Sequence, residues 1–212
     1  MRITSITPQT RNDNRVNIFV DGSYRFSLDI YQLVDLNIKV GHDYDESDLI
    51  SLEQESQFGK VYGRALEYCL IRPRSIREIE NYLYRKTKPT RDKMGELRAG
   101  VAVEITTRIF DRLLEKGYID DEKFAEYWVE NRLVRKGSSR RKLVAELYSK
   151  GVSSLIVDQA LEKTERNDKQ EIQKIILKKR RHYPDDKKMI MYLARLGFDY
   201  ETIKQSLNKS IL

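Results

Sequence analysis

The stretch YSKGVSSLIVDQALEK at residues 148–163 returns 46 residues later as ARLGFDYETIKQSLNK at 194–209, and this internal repeat constrains the fold more than any other feature. In that alignment Leu143, Val144, Leu147, Gly151, Val157 and Leu161 fall on Met189, Ile190, Leu193, Gly197, Ile203 and Leu207. Apolar residues recur at helical spacing in both copies, and the matched glycines stand where a helix stops, so each copy reads as helix, turn, helix. An earlier copy places Ile79 and Leu83 at an offset of 64 from Leu143 and Leu147, then Ile109 and Leu113 at 48 from Val157 and Leu161. The changed offset marks an insertion, Lys86 to Gly100 (KTKPTRDKMGELRAG), polar and basic, which reads as a long loop. The expected fold is mainly α, a tandem array of three three-helix repeats at 58–116, 120–163 and 168–209. In such an array each unit contacts its neighbours and the whole curves.

A segment of another class precedes the array. VNIFVDGSYRFSL at 16–28 is β-branched and aromatic on both sides of Asp21-Gly22, a dipeptide that tolerates the positive φ angles of a tight hairpin turn. ITSIT supplies a third strand. A short helical stretch around Tyr31 to Leu36, a turn at Gly41 and Asp45 as helix cap follow. No strand is expected after residue 50, and residues 1–57 are taken as a separate N-terminal β-hairpin segment.

Start and stop signals bracket the helices beyond it. Phe58, Tyr62, Leu66, Cys69 and Leu70 share a face that ends at Pro73, and Ser75-Ile76-Arg77-Glu78 is a capping box that turns Ile79 and Leu83 inward. Asp120 or Asp121 caps a helix bearing Phe124, Trp128 and Leu133. Gly137 ends it, Ser138 or Ser139 starts the next with Leu143 and Leu147, and Gly151 stops that one. Such short helices are not stable alone, so packing must hold them. Cys69 and Trp128 are read as core, and Tyr118 as a plug behind the Gly117 helix end.

Charge divides along the chain as structure does. The net charge is +7, yet residues 1–57 hold five Lys or Arg against ten acids, leaving −5 there and +12 on the remaining 155 residues. Six bases, Arg132, Arg135, Lys136, Arg140, Arg141 and Lys142, occur with no acid before Glu146. They surround a helix–helix turn where Gly137, Ser138 and Ser139 offer backbone N–H groups at a helix start, a natural place for an anion. Repeat one carries Arg72, Arg74 and Arg77 at the equivalent turn, and repeat three carries Lys178, Lys179, Arg180 and Arg181 just before its own. A single basic side chain often does no more than solvate a surface. Recurrence at one structural place in three repeats favours contact with a polyanion or an acidic filament.

Enzyme chemistry finds little to work with. Asp120-Asp121-Glu122 and Asp185-Asp186 could be metal-binding acids of a nuclease, but each pair sits where a helix begins and capping explains it. The two histidines, His42 and His182, have no Cys or His at ligand spacing, and there is no Gly-rich phosphate loop. No catalytic residue, metal or cofactor is expected. No apolar run approaches the roughly 20 residues of a membrane span, the N-terminus lacks the apolar core of a signal peptide, and the single cysteine precludes an internal disulfide. A cytoplasmic monomer, with no membrane partner, is expected.

RPRS at 72–75, the junction LLEKGYIDDEKFAEYWVENRL at 113–133, the basic turn before LVAELYSKGV and the closing YLARLGFDYETIKQSL together resemble the RecX family of bacterial recombinase regulators. The resemblance spans about 58–209, is most specific at GYIDDEKFA, and departs at the Lys86–Gly100 insertion, which is longer than the family's usual turn. It implies a non-enzymatic protein that binds RecA filaments along their groove. Such a protein depresses filament growth, ATP hydrolysis and strand exchange, and contacts single- and double-stranded DNA without sequence preference. The alternative is a plain DNA-binding protein with helix-turn-helix-like units. Against base reading stands the absence of Asn, Gln and Arg grouped on one recognition helix, since Leu143, Val144 and Ala145 follow the basic run.

Overall fold

The computed structural model describes residues 1–10, 12–135, 138–164 and 167–208, with the backbone alone over 132–135. These residues form two compact units. The first comprises Met1–Arg72 with Ile79–Tyr118, and the second Pro73–Glu78 with the chain from Ile119 onward.

In the first unit, β1 (Ile3–Gln9), β2 (Asn12–Val20) and β3 (Ser23–Asp29) make an antiparallel sheet in the order β1-β2-β3. Asp21 at φ 49° and Gly22 at φ 82° close the β2–β3 hairpin, the left-handed pair that matches strand twist. α1 (Ile30–Asp35) follows, then α2 (Glu46–Ile71), opened by a capping box in which Asp45 accepts from the N–H of Asp48 at 2.8 Å. Ile3, Ile18, Phe26 and Leu28 from the sheet meet Leu49 and Leu52 of α2 in a closed core.

α2 runs through the boundary expected at residue 57. Its buried residues are Leu49, Leu52 and Ser56, then Val61, Ala65 and Cys69, so its first half serves the sheet and its second half the helices beyond. Nothing stops the helix between them: Gly59 and Gly63 are single interruptions in 26 residues, and the first stop is the extended backbone at Arg72 before Pro73. The expected inward face is corrected at one position, since Leu70 is 66% exposed while Cys69 is buried as expected. α3 (Ile76–Thr87) leads into the insertion. There a strand pair, β4 (Thr90–Arg91) and β5 (Leu97–Arg98), replaces the expected featureless loop. Asp92 organises its turn, accepting from the N–H groups of Met94 and Glu96 and pairing with Arg98. α4 (Val103–Glu115) packs on α2 and ends at Gly117, where Ile119, 2% exposed, is the buried residue and Tyr118 stays 39% exposed.

The second unit holds two complete three-helix groups, α5 (Asp121–Arg135), α6 (Arg140–Ser149) and α7 (Ser154–Glu162), then α8 (Asp168–Lys179), α9 (Asp186–Arg195) and α10 (Tyr200–Asn208). Each has its own core. Phe124, Val129, Leu143, Leu147, Val157 and Leu161 fill one, and Ile172, Ile176, Met189, Leu193, Ile203 and Leu207 fill the other. Most apolar residues paired by the 46-residue offset are buried: Leu147 and Leu193 are both 0% exposed, as are Val157 and Ile203, while Val144 and Ile190 are half-buried against the same cores. Gly151 (φ 85°) and Gly197 (φ 89°) adopt the left-handed conformation that ends α6 and α9.

Candidate functional site

The basic runs lie beside a structural joint that occurs twice in the second unit. Ser139, fully buried, caps α6 by accepting from the N–H of Lys142 at 3.2 Å, and its hydroxyl donates to the carbonyl of Leu196, the residue that caps the end of α9, at 3.1 Å. The next N–H, that of Arg140, donates to Asp168 Oδ1 at the start of α8 at 2.9 Å. Sixty-four residues earlier the pattern is the same. Ser75 accepts from the N–H of Glu78 at 3.2 Å and donates to the carbonyl of Lys150 at the end of α6 at 2.8 Å, while the N–H of Ile76 donates to Asp121 Oδ1 at 2.8 Å.

The start of one central helix therefore rests on the end of the next, positive dipole end against negative. The stop glycines make this approach possible. A Cβ on Gly197 would stand 2.6 Å from Ser139 Oγ, and one on Gly151 2.8 Å from Arg77 Cβ. Lys150 adds an ion pair to Glu78 at 2.8 Å. The expected capping box at Ser75 is thus half formed in the usual way: the serine caps, and Glu78 spends its carboxylate on the next repeat.

This joint changes the meaning of the helix start at Ser139. Its first N–H meets Asp168, an anion supplied by the protein itself, rather than being open to an external one. Burial raises the Asp168 carboxyl above its ordinary value, against the pull of the Arg140 N–H and charge. What remains open at this place is side chains.

The sequence-predicted basic residues separate accordingly. Arg140 and Arg141 are exposed and Lys142 is half-buried. Arg77 is exposed with its stem against Gly151, Arg72 is half-buried, and Arg74 is only 8% exposed, an interior position in place of the open turn expected for it. Lys178, Lys179 and Arg181 are exposed, while Arg180 pairs with Asp186 at 2.5 Å. The side chains of Arg132 and Arg135, and Lys136 and Gly137 altogether, lie outside the described residues. The third group differs in kind from the others, because it occupies the end of α8 and not the start of a central helix.

Other candidates resolve into structure. Asp120 caps α5 by accepting from the N–H groups of Glu122 and Lys123, and Asp121 serves the joint. Asp185 caps α9. Among the described residues no group of three His, Cys, Asp or Glu side chains converges as a metal ion would need. Trp128 packs on the α5–α7 core, its ring 5.6 Å from Phe124, its Nε1 donating to Glu146 at 2.9 Å, with the Lys150 ammonium 5.3 Å away over its face. No helix among the described residues is long and apolar enough to cross a membrane. Sequence reasoning missed the joint, although Ser75 with Ser139 at 64 residues, and the acceptors Lys150 with Leu196 at 46, are matched by the same offsets that revealed the repeat.

A sheet followed by three-helix units, in which the acids at the helix starts, Asp120, Asp121, Asp168 and Asp185, are engaged in caps and joints, defines a helical-repeat protein. The family model for the regulatory protein RecX N-terminal domain matches residues 1–45, and that for the RecX second three-helix domain matches 120–161. The chain is 30% identical to the regulatory protein RecX of Clostridium tetani, over 98% of this chain and 94% of that one. It is 29% identical to that of Bacillus licheniformis, over 98% and 77%. A crystal structure of regulatory protein RecX superposes with a TM-score of 0.67 at 23% identity, covering 96% of this chain and 98% of the other. That of RecX from Lactobacillus salivarius gives 0.54 at 19% identity, over 72% and 95%. The chain belongs to the RecX family, a family of regulatory proteins and not of enzymes.

Proposed function

We propose that this protein regulates RecA recombinase filaments on DNA, lowering ATP hydrolysis, filament growth and strand exchange. It does so in the cytoplasm as a monomer without cofactor. Relatedness to RecX regulators along 98% of the chain is the observation that carries the reading. Arg140 and Arg141, exposed beside the buried Ser139 joint, fit it physically, because a rigid anchor holds two long cations in solvent where phosphates or filament carboxylates can reach them. Lys178, Lys179 and Arg181 extend the same chemistry to the last repeat, and Arg132, Arg135 and Lys136 belong to the same proposed contact set. Binding would be indifferent to base sequence, since the residues at the helix start after the basic side chains turn inward at Leu143.

The test is the rate of ATP hydrolysis by the cognate recombinase on single-stranded DNA. Substoichiometric protein should slow it, because blocking one growing end affects many subunits. Unchanged hydrolysis at a large excess would refute the reading.

A further inference from the structure

The negative charge of the N-terminal segment conceals a cationic row in the first unit. Arg15 on β2 donates from Nη2 to the Ser27 carbonyl at 2.8 Å, and the Ser56 hydroxyl of α2 donates to the same carbonyl at 2.6 Å. Ser56 therefore marks where α2 passes Arg15. Lys60, Arg64 and Tyr68 follow at four-residue intervals, which places them along one helix face. Lys60 is half-buried, and that burial, with the charges of Arg15 and Arg64, holds its ammonium below the ordinary lysine value. Burial lowers Arg15 as well, with Asp29 and Tyr24 pulling the other way. Among the described residues neither Lys60 nor Arg64 makes an ion pair or hydrogen bond with the protein.

Aromatic rings continue the row. Tyr68 stacks on Tyr82 of α3 with centroids 4.7 Å apart and planes 12° from parallel, and the Lys86 ammonium stands 4.8 Å over the Tyr82 ring. Glu67 is the acid that bears on this end, where Arg64 and Arg85 oppose it. Lys60 and Arg64, near each other with no acid among the described residues ion-paired to either, repel, and a partly buried site screens them poorly, so the row gains when an external anion lies along it. Cations in a line with aromatic rings at one end are the elements that hold a single strand of nucleic acid.

We propose that Arg15, Lys60 and Arg64, continued by the Tyr68–Tyr82 pair and Lys86, form a phosphate track for single-stranded DNA carried wholly by the first unit. The proposal deepens the reading above and rests on it only in assigning DNA as the polyanion.

The experiment uses the full chain and a fluorescent oligo-dT, with anisotropy measured at two salt concentrations. The double variant Lys60→Gln/Arg64→Gln keeps the side-chain stems, and Lys169→Gln/Lys187→Gln matches its change in net charge. The track variant should lose about tenfold in affinity at the lower salt, and its salt slope should fall by about 1.4, or 0.7 for each of two phosphate contacts. Its thermal unfolding should be unchanged or raised, since two mutually repelling charges are gone. Full affinity and slope in the track variant, or equal losses in both variants, would overturn the track. So would polyglutamate displacing the oligonucleotide as well as an equal charge of unlabelled oligo-dT does. Recombinase ATP hydrolysis, measured alongside, separates the two ideas. If the track variant loses DNA while the parent protein leaves hydrolysis untouched, the track stands and the regulatory reading falls.

Discussion

Replacing Ser139 with alanine removes two bonds from one buried hydroxyl: the cap on Lys142 N–H and the donation to Leu196 at the end of α9. Loss of a serine cap costs about 1 kcal/mol. Leaving the Leu196 carbonyl without this donor in a buried joint adds roughly 1–2 kcal/mol. The expected cost is therefore about 2–3 kcal/mol. Ser153→Ala is the natural comparison, because Ser153 is exposed and only caps α7, with a single contact to the N–H of Ile156 at 3.5 Å. It should cost well under 1 kcal/mol, within the low end of the cap range. Trp128 is the single tryptophan and lies half-buried on the α5–α7 core, so its fluorescence in urea reports on this part of the molecule directly. With a slope of about 2 kcal/mol per molar urea, Ser139→Ala should lower the midpoint by roughly 1 M, and Ser153→Ala by a few tenths at most. Ser75→Ala, which breaks the matching pair of bonds to Glu78 and Lys150, should resemble Ser139→Ala. If Ser139→Ala proved no costlier than Ser153→Ala, the joint would not be the element that binds one repeat to the next.

Arg140→Glu/Arg141→Glu should weaken DNA binding for all sequences alike and reduce the single-strand salt slope by about 0.7 per lost contact, with the urea midpoint little changed. Anisotropy against unrelated oligonucleotides checks this. Gly197→Ala, at φ 89° and with its Cβ 2.6 Å from Ser139 Oγ, should destabilise by more than the roughly 1–2 kcal/mol of left-handed backbone strain alone. Gly63→Ala on α2 meets nothing within 4 Å and should stabilise, a contrast that thermal melting of the two variants would show. The Asp45 carboxyl is held below its ordinary value chiefly by the Asp48 N–H, and further by the Ser47 hydroxyl. A depressed carboxylate contributes stability above the unfolded value that is lost as pH falls through the folded one, so Asp45→Asn should flatten the acid limb of the stability profile.

Much of the fold was legible because its signals are local. Ser139 and Asp45 cap the helices they precede, Gly151 and Gly197 end theirs, and the Asp21-Gly22 hairpin closes as its dipeptide requires. The repeat alignment also located the core, since buried apolar positions in equivalent units must recur at the same offsets. The candidate site was legible only as composition. Arg140 and Arg141 stand in solvent as expected, but Arg74, indistinguishable from them by charge, is buried, because whether a basic side chain reaches solvent depends on which helix end faces it.

By itself the sequence determined the helix starts and stops, the N-terminal hairpin, the three-helix periodicity and the family, all of which follow from residues close in the chain or from repetition of their pattern; the β4–β5 pair and the continuous α2 it did not. The tertiary structure alone decided what the caps are bonded to. Ser75 and Ser139 read as ordinary helix starts until the ends of α6 and α9 are brought against them, and Asp121 reads as a candidate cap of its own helix until the N–H of Ile76 is in reach. The same holds for α2, whose halves serve two cores, and for Arg15, which comes to Lys60 and Arg64 only because β3 lies between them. Hydrogen bonds and charge repulsion act over a few ångströms of space, and separation along the chain carries no record of that distance until the chain has folded.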